Sequence, residues 1–258
     1  MFILTKRRKF ALSSLILSFG LYLLGQIGFE FKYQAIGSLT LLAGILTFWS
    51  LEEAAFGLSS WMTTILPMFF TAGIALFYFL LPSSFWTVVP IIIFYLIGMY
   101  SLLLTENIFS VAAIRTINLF RSASAVGFLL TLLTSFFLYN ATVSLKMFFY
   151  FNFASIFLVS FPLVLTGLWS VNLDERISLK LIALAFLISL IIAEFELILS
   201  FWPVTVTVGS LFLTTVVYVL LGLAQAYLNE RLFKNTITEY LVVGLIVFLT
   251  IVAYTSWG

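Results

Sequence analysis

The sequence contains neither cysteine nor histidine, and Asp174 is its one aspartate. Without cysteine there can be no disulfide, thiolate metal site or thiol nucleophile, and the redox compartment is left open. Without histidine there is no imidazole general base, histidine-ligated haem or ordinary zinc-hydrolase centre. An aspartyl dyad needs two aspartates sharing a proton, and membrane alcohol phosphotransferases need several to hold divalent metal. Asp174 alone supplies neither, so the sequence predicts a non-enzymatic protein with no catalytic set, no metal and no cofactor.

Charge is almost as scarce. Of 258 residues, 9% are charged and 63% hydrophobic, against about 25% charged in soluble domains. Too little polar side chain is present to coat a water-soluble globule, which leaves lipid as the solvent. The net charge of +2 is spread over short segments, so no basic patch exists to hold nucleic acid. The lipid bilayer is the expected partner, together with other membrane proteins.

What is abundant is apolar sequence in runs long enough to cross the hydrocarbon, which takes about 20 residues of helix. Nine such runs follow one another, over 10–28, 35–50, 58–81, 85–104, 122–139, 147–170, 178–199, 203–223 and 240–257. The fold class read from them is all-α, a polytopic transmembrane helical bundle forming one domain over 1–258. Lys6, Arg7, Arg8 and Lys9 open the first run, and no Ala-x-Ala cleavage site precedes Gly28, so this run reads as an uncleaved first helix rather than a signal peptide.

Basic residues set the orientation, because short cytoplasmic loops are enriched in Lys and Arg. With the amino terminus cytoplasmic, Lys6, Arg7, Arg8, Lys9, Arg115, Arg121, Arg176, Lys180, Arg231 and Lys234 all lie inside, and only Lys32 and Lys146 lie outside. One missed crossing would invert every charge after it. The carboxyl terminus is then outside, and the location read from this pattern is the cell membrane. All the tryptophans fall at span ends, Trp49, Trp61 and Trp169 at the inner boundary and Trp86, Trp202 and Trp257 at the outer one. They read as interface anchors.

An internal echo runs beneath the span pattern. Trp49-Ser50 and Trp169-Ser170 each close a helix ahead of an acidic pair, Glu52-Glu53 and Asp174-Glu175. Phe85-Trp86 matches Phe201-Trp202, and Arg115 matches Arg231, both at an offset of 116. This order suggests a 1+4+4 arrangement: a leading helix over 10–28 and two parallel four-helix units over 35–139 and 147–257. Some transporters are built from such parallel repeats. Shared composition among membrane helices also produces resemblance of this kind.

Glu194 and Glu196 form the candidate intramembrane polar site, since carboxylates inside a span are expensive and call for a role. Two residues apart on a helix, they point about 200° from each other. One is expected to face the bundle as a protonatable or cation-binding group, the other to reach for the interface. The loop from Glu106 to Arg121 reads as a short surface helix whose polar side carries Arg115 and Asn118. With Arg121, these make a candidate cytoplasmic docking loop. Pro67, Pro90 and Pro162 lie inside spans as candidate kinks. Thr236 and Glu239 have capping-box spacing, Glu230 and Lys234 stand at i and i+4, and Asn140-Ala141-Thr142 is a glycosylation sequon on the expected outer side.

The run from Leu104 to Asn118, with Leu199-Ser200-Phe201-Trp202-Pro203-Val204, resembles an uncharacterised family of multi-pass bacterial membrane proteins. The resemblance implies a bacterial cytoplasmic membrane and carries no activity, cofactor or site. Three readings therefore stand: a subunit or assembly component of a membrane complex, a small transporter or channel using Glu194 or Glu196, and a lipid-modifying enzyme using glutamates such as Glu30 or Glu106.

Overall fold

The computed structural model describes residues 5–51, 58–82, 84–112 and 119–255. The described residues are all-helical, with no strand. The helices are α1 (Lys6–Leu24), α2 (Lys32–Leu51), α3 (Leu58–Tyr78), α4 (Phe85–Ala112), α5 (Phe120–Ser144), α6 (Phe149–Asn172), α7 (Leu179–Leu199), α8 (Val206–Leu228) and α9 (Lys234–Tyr254). All but α1 are long and apolar enough to cross a membrane, which makes this a membrane protein by length and composition. α1 falls short of that measure because Lys6 to Lys9 occupy its first turn, and the apolar part from Phe10 to Leu24 is shorter than a full crossing.

Helix is what these segments must form once water is gone, since every backbone N–H and C=O then needs a partner within the segment. Hydroxyls obey the same demand. Ser18 donates to the Ser14 carbonyl, Thr47 to Ala43, Thr134 to Leu130, Ser189 to Ala185 and Ser210 to Val206, each at 2.7 Å along its own helix. Ends are set by turn chemistry. Ser178 caps α7 by accepting the Leu181 N–H at 3.2 Å, and α6 ends where Leu173 turns left-handed at φ 56° and its N–H returns to the Trp169 carbonyl.

Three local expectations are overturned. The loop expected from Glu106 is helix as far as Ala112, because the stretch Thr105 to Ala112 holds no breaker, and Leu102, Phe109 and Ser110 continue the buried stripe of α4. The polar pair Glu106-Asn107 looked like a span end and is not one. Thr236 does not cap α9, whose N-cap is Phe233, so Thr236 lies inside the first turn. Glu230 sits in the preceding turn at φ 56°, off the helix that carries Lys234, and the i,i+4 pair does not exist.

The chain packs as two compact units, 1–134 and 135–258, with α5 contributing to each. In the first, α1 lies against α2 and α4, α2 against α3, and α3 against α4. α1, expected as a leading helix, is thus packed within this unit. Small residues set the approach: Gly98 of α4 sits beneath the Phe70 ring of α3. One turn away the Tyr95 and Thr71 hydroxyls meet at 2.8 Å. In the second unit α6 runs along α7 and α8, α7 touches α8, and α9 lies on α8. Tyr139 meets Ser160 at 2.7 Å, and the Gln225 amide donates to the Gly167 carbonyl at 2.8 Å.

The glycine contacts give a stability test. A Cβ at Gly98 would stand 2.5 Å from Phe70 Cζ, whereas one at Gly37 meets nothing within 4 Å. Gly98→Leu is expected to cost about 1–3 kcal/mol by overpacking, while Gly37→Ala is neutral or slightly stabilising. Thermal midpoints in mild detergent measure both, and equal midpoints would refute the close α3 and α4 packing.

Candidate functional site

Two carboxyls are buried among the described residues, Glu106 at 4% exposure and Glu196 at 2%. Glu194 is exposed on the opposite side of α7, as the helical angle between the two requires. α7 therefore turns one carboxyl into the second unit and the other away from it.

Glu196 sits in the last turn of α7, where the chain ends its helix at Ser200. The Ser200 hydroxyl donates to Glu196 Oε1 at 3.3 Å, and the amide of Asn152, from the first turn of α6, stands beside the carboxyl in the same wall. These groups line a cavity of about 390 Å³ at the end of the unit where α5 and α7 stop and α6 and α8 begin. Lys146, Thr205 and Trp202 contribute to the same wall. Lys146 stands in the α5 to α6 turn with φ 48°, a left-handed conformation that favours glycine. The Trp202 indole donates from Nε1 to Thr255 Oγ1 at 3.0 Å, tying the α7 to α8 turn to the end of α9. A carboxylate, an amide, a hydroxyl and an ammonium thus converge in a helical bundle whose other hydroxyls mostly answer to their own backbones. Such a set can bind a small polar or charged group.

Neither Asn152 nor Lys146 was singled out from sequence as a site residue. Both lie about 50 residues from Glu196 in the chain, and only the antiparallel pairing of α6 with α7 brings Asn152 to it. A polar residue one turn into an apolar run was the available signal.

The other expected positions scatter. Arg115 and Asn118 of the docking loop lie outside the described residues, as does Trp257, and Arg121 is exposed in the first turn of α5. Trp61 and Trp86 are 73% and 83% exposed, and Trp49 lies half-buried beneath the Lys9 ammonium, 5.3 Å from the ring centre. Trp169 differs: it is buried, and its Nε1 donates to the Asp174 carbonyl at 3.0 Å, so this indole seals the end of α6 rather than meeting lipid. Asn140 is buried within α5, which removes the sequon from the expected outer loop. Glu52 and Glu53 lie outside the described residues.

Glu106 is of another kind. It is enclosed in the first unit beside Thr105, Phe109 and Ser110 on the buried side of α4, and among the described residues no side-chain hydrogen bond or ion pair reaches its carboxyl. A buried ionisable group without a partner is replaceable by an apolar side chain at no loss, or with a gain of about 1–4 kcal/mol. Glu106→Met is accordingly expected to keep or raise the thermal midpoint in detergent, and Glu106→Lys to lower it; a drop for Met would reveal a partner for the carboxyl.

The sequence profile of a family described as "Protein of unknown function (DUF5656)" matches residues 16–254. No curated protein and no solved structure matches the chain.

Proposed function

The chain belongs to this family of unknown function, and from that premise we propose that it is a non-enzymatic multi-pass protein of the cell membrane whose second unit binds a small cation in the Glu196 cavity, as a small transporter or channel does. The observation that carries this reading is a carboxyl, 2% exposed, at the wall of a 390 Å³ cavity. That is an expensive placement in a membrane and one associated with ion and substrate paths. Asn152 and Ser200 add neutral oxygens beside it, the donor set that replaces part of a cation's hydration shell.

Orientation follows from the basic residues beyond α1: Arg176 and Lys180 at the junction of α6 and α7 and Arg231 and Lys234 at that of α8 and α9 mark the cytoplasmic ends, and Lys146 between α5 and α6 falls at the opposite one. On that topology the cavity opens to the outer side, because Lys146 and the α5 to α6 turn are external.

A second reading, as a subunit of a membrane complex, rests on α9. Ile251 is its one buried residue among those described, and Leu241, Leu245 and Leu249 are all exposed. A helix so little used internally is free to pack on another protein. Isolation as a lone monodisperse species, with all membrane complexes intact after deletion of the gene, would remove that support.

Two measurements test the first reading. In reconstituted vesicles, Glu196→Gln should weaken binding or uptake of ethanolamine, sodium or potassium about tenfold or more, while Glu194→Gln leaves it within twofold. Equal effects, or none, would end the carboxylate mechanism. The cysteine-free background permits the second: Lys146→Cys and Ser200→Cys should label with a membrane-impermeant maleimide on intact cells, and Glu230→Cys only after permeabilisation. The reverse pattern would place the cavity mouth in the cytoplasm.

A further inference from the structure

We propose that the Glu196 cavity is a receptor for the headgroup of a zwitterionic phospholipid bearing a primary ammonium, the phosphatidylethanolamine type; this rests on the cation-binding reading above and names its ligand. The cavity wall carries one cation, Lys146, and one anion, Glu196, and among the described residues no ion pair joins them or gives Lys146 another partner. A wall that keeps opposite charges apart matches a ligand carrying the complementary pair.

The helix ends sort those charges in space. α6 and α8 both begin at the cavity, through Phe149 and Asn152 on one side and Thr205, Val206 and Gly209 on the other. Neither N-cap residue, Phe148 or Thr205, offers a side-chain hydrogen bond to its helix. Their first-turn N–H groups and positive dipole ends favour a phosphate, as Lys146 does. α7 instead ends at the cavity, and its terminal carbonyls, the Glu196 carboxylate, the Asn152 amide oxygen and the Ser200 hydroxyl favour an ammonium. A primary ammonium has three N–H donors for these acceptors, whereas a trimethylated one has none.

The mouth argues for a lipid rather than a soluble zwitterion. Met147, Phe149 and Phe201 line the opening and are exposed, with the Phe149 and Phe201 rings 5.5 Å apart. Phe148, Tyr150 and Phe151 extend this collar at 69%, 52% and 50% exposure. Acyl chains leaving the cavity would run over that apolar surface, which a water-soluble ligand could not use. At about 390 Å³ the cavity is in the range of small-ligand sites, large enough for a headgroup and too small for the chains.

The experiment is native mass spectrometry of the full chain in detergent, titrated with phosphatidylethanolamine, phosphatidylcholine and phosphatidylglycerol, with ethanolamine binding measured alongside. Wild type is expected to retain phosphatidylethanolamine at least tenfold over the other two. Glu196→Gln and Lys146→Gly should each bring that preference within twofold of unity. Lys146→Gly removes the ammonium at a left-handed position where glycine is the natural residue, so misfolding does not account for its loss. Glu196-dependent ethanolamine binding without lipid preference overturns the headgroup proposal and keeps the cation reading; neither signal overturns both. Preference for phosphatidylglycerol would show that Lys146 alone attracts anionic lipid, and displacement by phosphoethanolamine at equal concentration would make the ligand soluble; each overturns the proposal.

Discussion

The structure depends on one constraint: a polar group removed from water is costly unless it finds a partner inside the protein. Backbone groups satisfy it by helix formation, and that settles the fold class before any packing is considered. Most buried hydroxyls satisfy it by turning back to a carbonyl three or four residues earlier; Ser13 and Thr40 do not. Thr71 does so at Pro67 and Thr166 at Pro162, bonding the carbonyl of the proline inside its own helix. Each such bond is worth about 1 kcal/mol net, and together they leave few hydroxyl donors for anything else. Hydrogen bonds between helices are correspondingly sparse, as in Tyr95 with Thr71, Tyr139 with Ser160 and Gln225 with the Gly167 carbonyl, and glycines beneath aromatic rings or aliphatic side chains allow the close approach.

Against this background Glu196 and Glu106 differ in what surrounds them more than in how deeply they lie. Glu196 has an amide, a hydroxyl and an open cavity beside it at the end of the second unit. Glu106 has side-chain enclosure without a polar counterpart among the described residues. The first arrangement lowers the penalty of a charge and leaves room for a ligand. The second gives no reason to expect one.

Span length and composition were legible in the sequence because they answer directly to bilayer thickness; most helix bounds fall within a few residues of the runs. What failed was polarity taken as a marker of span ends. Glu106-Asn107 looked terminal and is interior, whereas Lys6 to Lys9 looked like a flank and are the first turn of α1. A charge in a sequence window reports an energetic expense without saying whether the residue meets expense at the surface or inside. Trp169 failed for a related reason: an indole at a helix end serves an anchor and a C-terminal seal equally well, and the choice turns on whether a carbonyl such as that of Asp174 is in range.

The candidate cavity was half legible. Glu196 could be nominated because it is a carboxylate within an apolar run, but its neighbours come from turns that the sequence marks only as breaks. Under the 116-residue offset Glu194 and Glu196 fall on Tyr78 and Leu80. Tyr78 is buried in the first unit with its hydroxyl against Gly25. Tyr78 stands at the register of the exposed Glu194, and the position at the register of the buried Glu196 is Leu80, 45% exposed. At this register the second unit sets a buried carboxyl on a polar cavity that packing alone would have closed.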